Sequence, residues 1–276
     1  MPNQSPTRPI TAFSSRSSES FSAAKFPTKV ILEDSYTVDF VTSSNLDEKT
    51  LILQAPPRQV RYRTRVVRVS KSAFSWASSE YRLLTELGTP VLFAKKVVRG
   101  KCFSIFMNDQ TKLGKLNSNL IGSEFVLYSP GDTRRELACI GYENRLFRSA
   151  STKTRPRDII VSVPSVLNPA PYYVNADAMV KAVQQPMAPS LGIDILKNRE
   201  ARWIPSTASY ELPFTQLDII EASPKNFILV ANNGDHVFEF AKLPNGDFML
   251  DFASPISPLA AFAIAISSLN FKLCCE

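Results

Sequence analysis

From residue 29 onward the apolar residues fall in short runs rich in Val, Ile, Phe and Tyr, broken by Pro, Gly, Asn and Ser, which is the texture of strands and turns. Helical periodicity is scarce. Three runs, 225–231, 236–242 and 247–252, are joined by Asn232-Asn233-Gly234-Asp235 and Leu243-Pro244-Asn245-Gly246. Asn-Gly supplies the positive φ angles that two-residue hairpin turns need, so these runs predict a three-strand antiparallel meander. Within it Phe238, Phe240, Phe248, Leu250 and Phe252 recur at alternate positions and share one face, the inward one.

The following segment, 257–269, reads as a helix: Ser257 is a capping residue and Pro258 occupies the tolerated first helical position. It is apolar on every side and only about 18 Å long at 1.5 Å per residue, which is too short to cross a bilayer and suits a helix enclosed by protein. Many short strands with one such helix point to a barrel wrapped around it, or to an open sheet across which it docks. The pattern alone leaves both.

Residues 1–28 are rich in Ser, Thr and Pro and poor in branched apolar side chains, which predicts a disordered tail. Residues 29–50 read as a linker or accessory strands, and 51–276 as the main domain. A Pro- and Ala-rich stretch near 165–190 reads as an insertion in which only 176–184 has helical character.

Composition narrows the class. The 276 residues carry a net charge of +7, which implies attraction to nucleic acid or to an anionic lipid surface. No apolar run approaches a membrane span, and the N-terminus lacks the apolar core of a secretory signal, so an intracellular location is expected. Cys102, Cys139, Cys274 and Cys275 have no metal-ligand spacing and read as reduced thiols; Leu273 stands where a prenylation box needs cysteine. The single histidine, His236, lies in an aromatic strand and reads as structural. With no nucleophile elbow, Walker loop, CxxC or HExxH, no catalytic residue, cofactor or metal is expected. Arg58, Arg61, Arg63, Arg65 and Arg68 form a basic series whose middle three share one strand face, an outward face kept soluble or a phosphate contact. The phase break at Val66-Val67 predicts a bulge.

The run FMLDFASPISPLAAFAIAISSLNFKLCCE, residues 248–276, resembles the terminal signature of the Tubby family, including its Ala-Phe-Ala-Ile core and closing Lys-Leu-x-Cys-Glu. Gly114-Lys115-Leu116-Asn117-Ser118-Asn119-Leu120-Ile121-Gly122-Ser123-Glu124-Phe125 is similar to that family's GKLRSNxxGTxF segment. Arg134-Arg135-Glu136-Leu137-Ala138 with Tyr142-Glu143 resembles its RQELA…YE strand, and Ala222-Ser223-Pro224-Lys225-Asn226-Phe227 its ASVKNF. The resemblance covers about 51–276 and implies a mainly β fold: a closed antiparallel barrel of about twelve strands enclosing the central apolar C-terminal helix.

It also implies a non-enzymatic adaptor that binds phosphatidylinositol 4,5-bisphosphate through a basic pocket on the barrel surface. Lys115 matches the family's pocket lysine and Arg134 an arginine near the headgroup. Asn117 stands where the family has arginine, and Cys102 where it has a headgroup-binding asparagine. Lys95, Lys96, Arg99 and Lys101 form a basic run just upstream, of which Lys96 and Lys101 complete the expected set of headgroup-binding residues. The implied partners are a phosphoinositide-containing membrane and a protein cargo or effector. The implied location is the cytoplasm, peripheral at the plasma membrane, with nucleus or cilium as further sites. The alternative is a barrel whose lipid pocket has degenerated, serving as a protein- or nucleic-acid-binding, transcription-associated module.

Overall fold

A computed structural model describes residues 36–39, 47–70, 79–97, 102–108, 110–131, 135–142, 158–167, 177–186, 192–206, 209–215 and 220–270. The expected tail, 1–28, lies outside them. Fifteen strands and three helices are present among the described residues, beginning with β1 (Tyr36–Asp39), α1 (Glu48–Leu53) and β2 (Val60–Ser70). Next come β3 (Ser79–Thr85), β4 (Pro90–Lys96), β5 (Cys102–Phe106), β6 (Lys112–Ser118), β7 (Glu124–Tyr128), β8 (Glu136–Tyr142) and β9 (Ile159–Pro164). The remainder are α2 (Ala178–Gln184), β10 (Ile193–Asn198), β11 (Arg202–Ile204), β12 (Ser209–Glu211), β13 (Phe227–Val230), β14 (His236–Lys242), β15 (Phe248–Ala253) and α3 (Pro258–Asn270).

β2 through β10 and β13 through β15 pair antiparallel with their neighbours, and β2 closes the ring by pairing both β15 and β3. The result is a closed antiparallel barrel of twelve strands. β2 is long enough to serve two partners along one edge: β3 takes Thr64 to Ser70, and β1 runs parallel beside Val60 to Arg63. β11 and β12 form a separate two-stranded ribbon.

A ring of eight strands is filled by its own side chains, whereas twelve leave a lumen that must be plugged. α3 is the plug. Ser257 caps it through its hydroxyl, which accepts from Ala260 N at 3.2 Å, and every residue from Pro258 to Ser268 is buried. Four alanines among them keep the helix narrow. The wall yields too: a Cβ on Gly114 would lie 3.6 Å from Leu259 Cδ2 and 3.1 Å from Leu127 Cδ1. Near its far end Ser267 Oγ and Tyr142 Oη share a 2.7 Å hydrogen bond, tying helix to wall.

The meander forms as expected, with Phe238, Phe240, Leu250 and Phe252 fully buried and Phe248 stacked on Phe240 at 4.8 Å. Its turns differ from the expectation. Only Gly234 and Gly246 have positive φ, +88° each, and Ala231 N and Leu243 N reach across to Asp235 O and Asp247 O. Each turn is therefore a type I turn followed by a left-handed glycine, the three-residue alternative to the two-residue loop. β2 also corrects an expectation: its register with β3 runs through Val66 and Val67 without a shift, so there is no bulge there. Arg68 simply falls in the inward phase at the mouth of the barrel.

α2 lies on the outside of the wall, with Met179 and Val183 packed on Val126 and Cys139. Gly141 permits this approach, because a Cβ there would sit 2.4 Å from Val183 Cγ1. Gly141→Ala should lower stability by about 1–3 kcal/mol through overpacking. Adding Val183→Ala should recover part of that loss, as read from paired urea unfolding curves. Phe262→Ala, which empties the barrel axis, should cost about 3–5 kcal/mol.

Candidate functional site

On the outer wall, alternation and register decide which side chains meet. In β6 Leu116 faces α3 and is fully buried, so Lys115 and Asn117 point outward, both half-buried. Lys115 pairs with Ser104 of β5, which pairs with Lys95 of β4, giving an outward row Lys95–Ser104–Lys115 that continues to Tyr128 of β7. Two strand spacings, about 10 Å, separate the two lysines, within reach of a shared ligand between flexible side chains. A second row, one step toward the opposite rim, holds Arg82, Phe93, Phe106 and Lys112. Lys95 bridges the rows, its ammonium 5.6 Å from the Phe106 ring centre, and within the second row the Arg82 guanidinium lies 5.5 Å from that of Phe93.

Of the residues singled out from the sequence, Lys115 and Asn117 thus share one face. Lys96 does not join them: it pairs with Phe103, a lumen-facing residue, and belongs to the inward phase. Lys101 and Arg134, with Arg99, lie outside the described residues. Sequence reasoning placed Lys95 in the basic run but not in the headgroup-binding set, and did not name Ser104. The alternation of Phe93 with Lys95 carried a signal for the first, but placing Ser104 beside Lys115 needs the strand register.

Asn117 pairs with Cys102, a free, half-buried thiol. The two positions at which the chain departs from the family pattern are therefore cross-strand neighbours, a single neutral spot beside the lysine row. Asn117 Oδ1 is buried with no hydrogen-bond partner among the described residues. On the other side Asn117 pairs with Val126, which α2 covers, so the insertion walls one flank of the site. Asp177 gives α2 no side-chain cap; Glu136 of β8 takes that role, its Oε2 accepting from Met179 N at 2.8 Å. Burial pushes the Glu136 carboxyl above its ordinary value, against the backbone hydrogen bonds.

Residues 52–271 match the model of the Tub family. The chain belongs to that family. It is similar to Tubby-related protein 1 of Mus musculus, 30% identical over 83% of this chain and 47% of that protein. Tubby-related protein 3 of Homo sapiens is 33% identical over 60% of the chain and 41% of its own length. Tubby protein homolog 1 of Caenorhabditis elegans is 27% identical over 59% and 42%. The chain thus spans less than half the length of these relatives. The Tub family is not a family of enzymes, and among the described residues no group of three or more His, Cys, Asp or Glu could hold a metal ion.

Two members of the arginine series of this Tub barrel, Arg61 and Arg63, belong to a buried charge network, whereas Arg58 and Arg68 are exposed. Arg63 of β2 forms an ion pair with Asp251 of β15 at 3.0 Å, and Asp251 in turn pairs in register with Glu239 of β14; both carboxylates are fully buried. Arg61 donates to His236 O, Arg199 contacts the His236 ring, and Thr215 donates to Glu239 through its backbone N at 3.1 Å and its hydroxyl at 2.6 Å. A strap bearing Leu212, Phe214 and Ile220 packs on Ile228, Ala241 and Met249 and covers the row. Burial pushes Asp251 up to about 6, against the stabilising charge and hydrogen bonds of Arg63. Burial would also raise Glu239, but hydrogen bonds from His236 and Thr215 and the Arg61 charge hold it below its ordinary value.

These opposite shifts give opposite pH dependences. The Asp251 term is fully present below the unfolded value of 3.8 and is lost as pH rises through about 6. It amounts to about 3 kcal/mol at 1.36 kcal/mol per unit. The Glu239 term is present above 4.5 and is lost as pH falls through its lower folded value. Between pH 4.5 and 6.5 the wild type should therefore lose stability as pH rises, and Asp251→Asn should flatten that slope in chemical unfolding across the window.

Proposed function

We propose that this chain is a non-enzymatic adaptor that binds a phosphoinositide headgroup, phosphatidylinositol 4,5-bisphosphate in the first instance, on the outer wall of β4–β6. It would thereby sit peripherally at the cytoplasmic face of the plasma membrane and link it to protein trafficking or signalling. The observation that supports this most is Lys115: in the segment similar to the family's pocket motif it points outward, in one row with Ser104 and Lys95. Adjacent phosphomonoesters carry several negative charges and are held by cations converging on one point, with hydroxyl and amide groups filling in. Lys101 and Arg134 are the candidates for further cations. Lys96 stands in the other phase of β4, out of the Lys95–Ser104–Lys115 row.

A second reading draws on the neutral Asn117–Cys102 pair. A missing arginine removes a charge-assisted contact of about 1.5–3 kcal/mol, or roughly ten- to hundredfold in affinity. Left uncompensated, that loss would make the barrel a protein- or nucleic-acid-binding module with a transcription-associated role.

Co-sedimentation with vesicles of stated composition separates the two. Wild type should bind vesicles containing the bisphosphorylated lipid above plain anionic ones at physiological salt. Lys115→Ala should lower that binding about ten- to hundredfold, and Asn117→Arg should raise it by a similar factor. Equal binding to both vesicle types by wild type would overturn the headgroup reading. Specific binding that appears only in Asn117→Arg, or duplex DNA binding that survives excess soluble headgroup, would favour the second.

A further inference from the structure

The hairpin joining β6 to β7 carries a feature that headgroup binding does not use. Its turn runs from Asn119 to Gly122, closed by Gly122 N donating to Asn119 O at 3.2 Å and by Asn119 N donating to Glu124 O at 2.9 Å. The Asn119 side chain locks it: Oδ1 accepts from Gly122 N at 2.7 Å and Ser123 N at 3.0 Å, while Nδ2 donates to Ser123 Oγ at 3.0 Å. Gly122 takes the left-handed φ of +77°. Asn first and Gly fourth are ordinary turn chemistry, but the two central positions, where small or polar residues are usual, are Leu120 and Ile121. Leu120 is 88% exposed and Ile121 46%. A well-ordered turn therefore holds two branched apolar side chains out in water.

Strand direction places this tip among other features. β4 and β6 run toward the same rim of the barrel, so Val97, which follows β4 and is also exposed, lies at the rim that carries the β6–β7 tip. Below this rim the same two strands present Lys95 and Lys115 on the outer wall. Apolar points in front and cations behind are the arrangement that fits an anionic bilayer, where phosphates lie outside hydrocarbon.

Depth agrees as well. From Asn117 to Leu120 is three residues, about 10 Å along a strand and about 7–8 Å along the barrel axis at a tilt near 40°. The polar layer of one leaflet is about 5–8 Å thick. With the barrel axis along the membrane normal, a headgroup held at Lys115 and Asn117 would put Leu120 at the edge of the hydrocarbon.

We infer that Leu120 and Ile121 form a wedge that inserts into the outer hydrocarbon of an anionic membrane while the wall beneath engages the headgroup. The inference rests on the headgroup reading above. It adds that vesicle affinity has an apolar part that soluble headgroup cannot supply.

The test uses the full chain. Leu120→Ser with Ile121→Ser should lower binding to vesicles containing the bisphosphorylated lipid by ten- to hundredfold, yet leave calorimetric binding of soluble inositol 1,4,5-trisphosphate within twofold of wild type. Leu120→Trp should show quenching by bromine-labelled acyl chains beyond that of the two native tryptophans. Vesicle binding unchanged in the double-serine variant, without extra quenching in Leu120→Trp, overturns the wedge and leaves the headgroup reading intact. The same null result with self-association that the double-serine variant abolishes would assign the tip to a second copy of the chain, again overturning it. Binding of plain phosphatidylserine vesicles that the double-serine variant loses supports the wedge while the specific headgroup reading fails. Absence of any vesicle binding overturns both.

Discussion

Filling the lumen is the constraint on which the rest of this structure depends. Twelve strands close into a ring too wide for wall side chains to meet, and α3 fills it without a charged residue along its length. The fit is reached from both sides, by alanines on the helix and by Gly114 in the wall. Once the inner face is fully committed to α3, the outer face is where polar chemistry can be displayed. Side chains such as Lys115 then stand on strands whose inner neighbours, here Leu116, are locked in the core. Such a wall is a rigid platform, which lowers the ordering cost of holding a ligand.

The outer face is itself divided. Over β7 to β9 it is covered by α2, and over β13 to β15 by the strap around Phe214, beneath which lie two carboxylates and their arginine partners. Between these covers, β4 to β6 present the Lys95–Ser104–Lys115 row and the two cation–ring contacts. The residues that look most alike in sequence thus have different fates. Arg63 neutralises a buried aspartate, whereas Lys115 faces outward from the wall.

The barrel and its helix were legible because apolar alternation and an all-apolar helix are local patterns, and the terminal signature joined them to one architecture. What stayed hidden depends on contacts between distant segments. Glu239 and Asp251 alternate correctly with the aromatic residues and would pass for exposed polar positions; the strap that buries them comes from elsewhere in the chain. Lys95 and Lys96 are adjacent in sequence, and only the pleat tells which of them faces outward with Lys115. The pairing of Asn117 with Cys102 is likewise a matter of register, and it makes one local change of what had seemed two.

The ring is sealed where β2 meets β15, with Arg63 and Asp251 separated by 188 positions along the chain. α3 follows β15 directly and occupies the space that this seam encloses. A finished ring would admit no helix, and a ring without one would be hollow, so sealing and filling have to happen together. Such long-range closure makes for slow assembly, and it leaves the wall strands without a completed core until the helix after them has been synthesised. The helix that fills the axis thus also bears on assembly, because a ring closed around an empty axis would have no core to hold it shut.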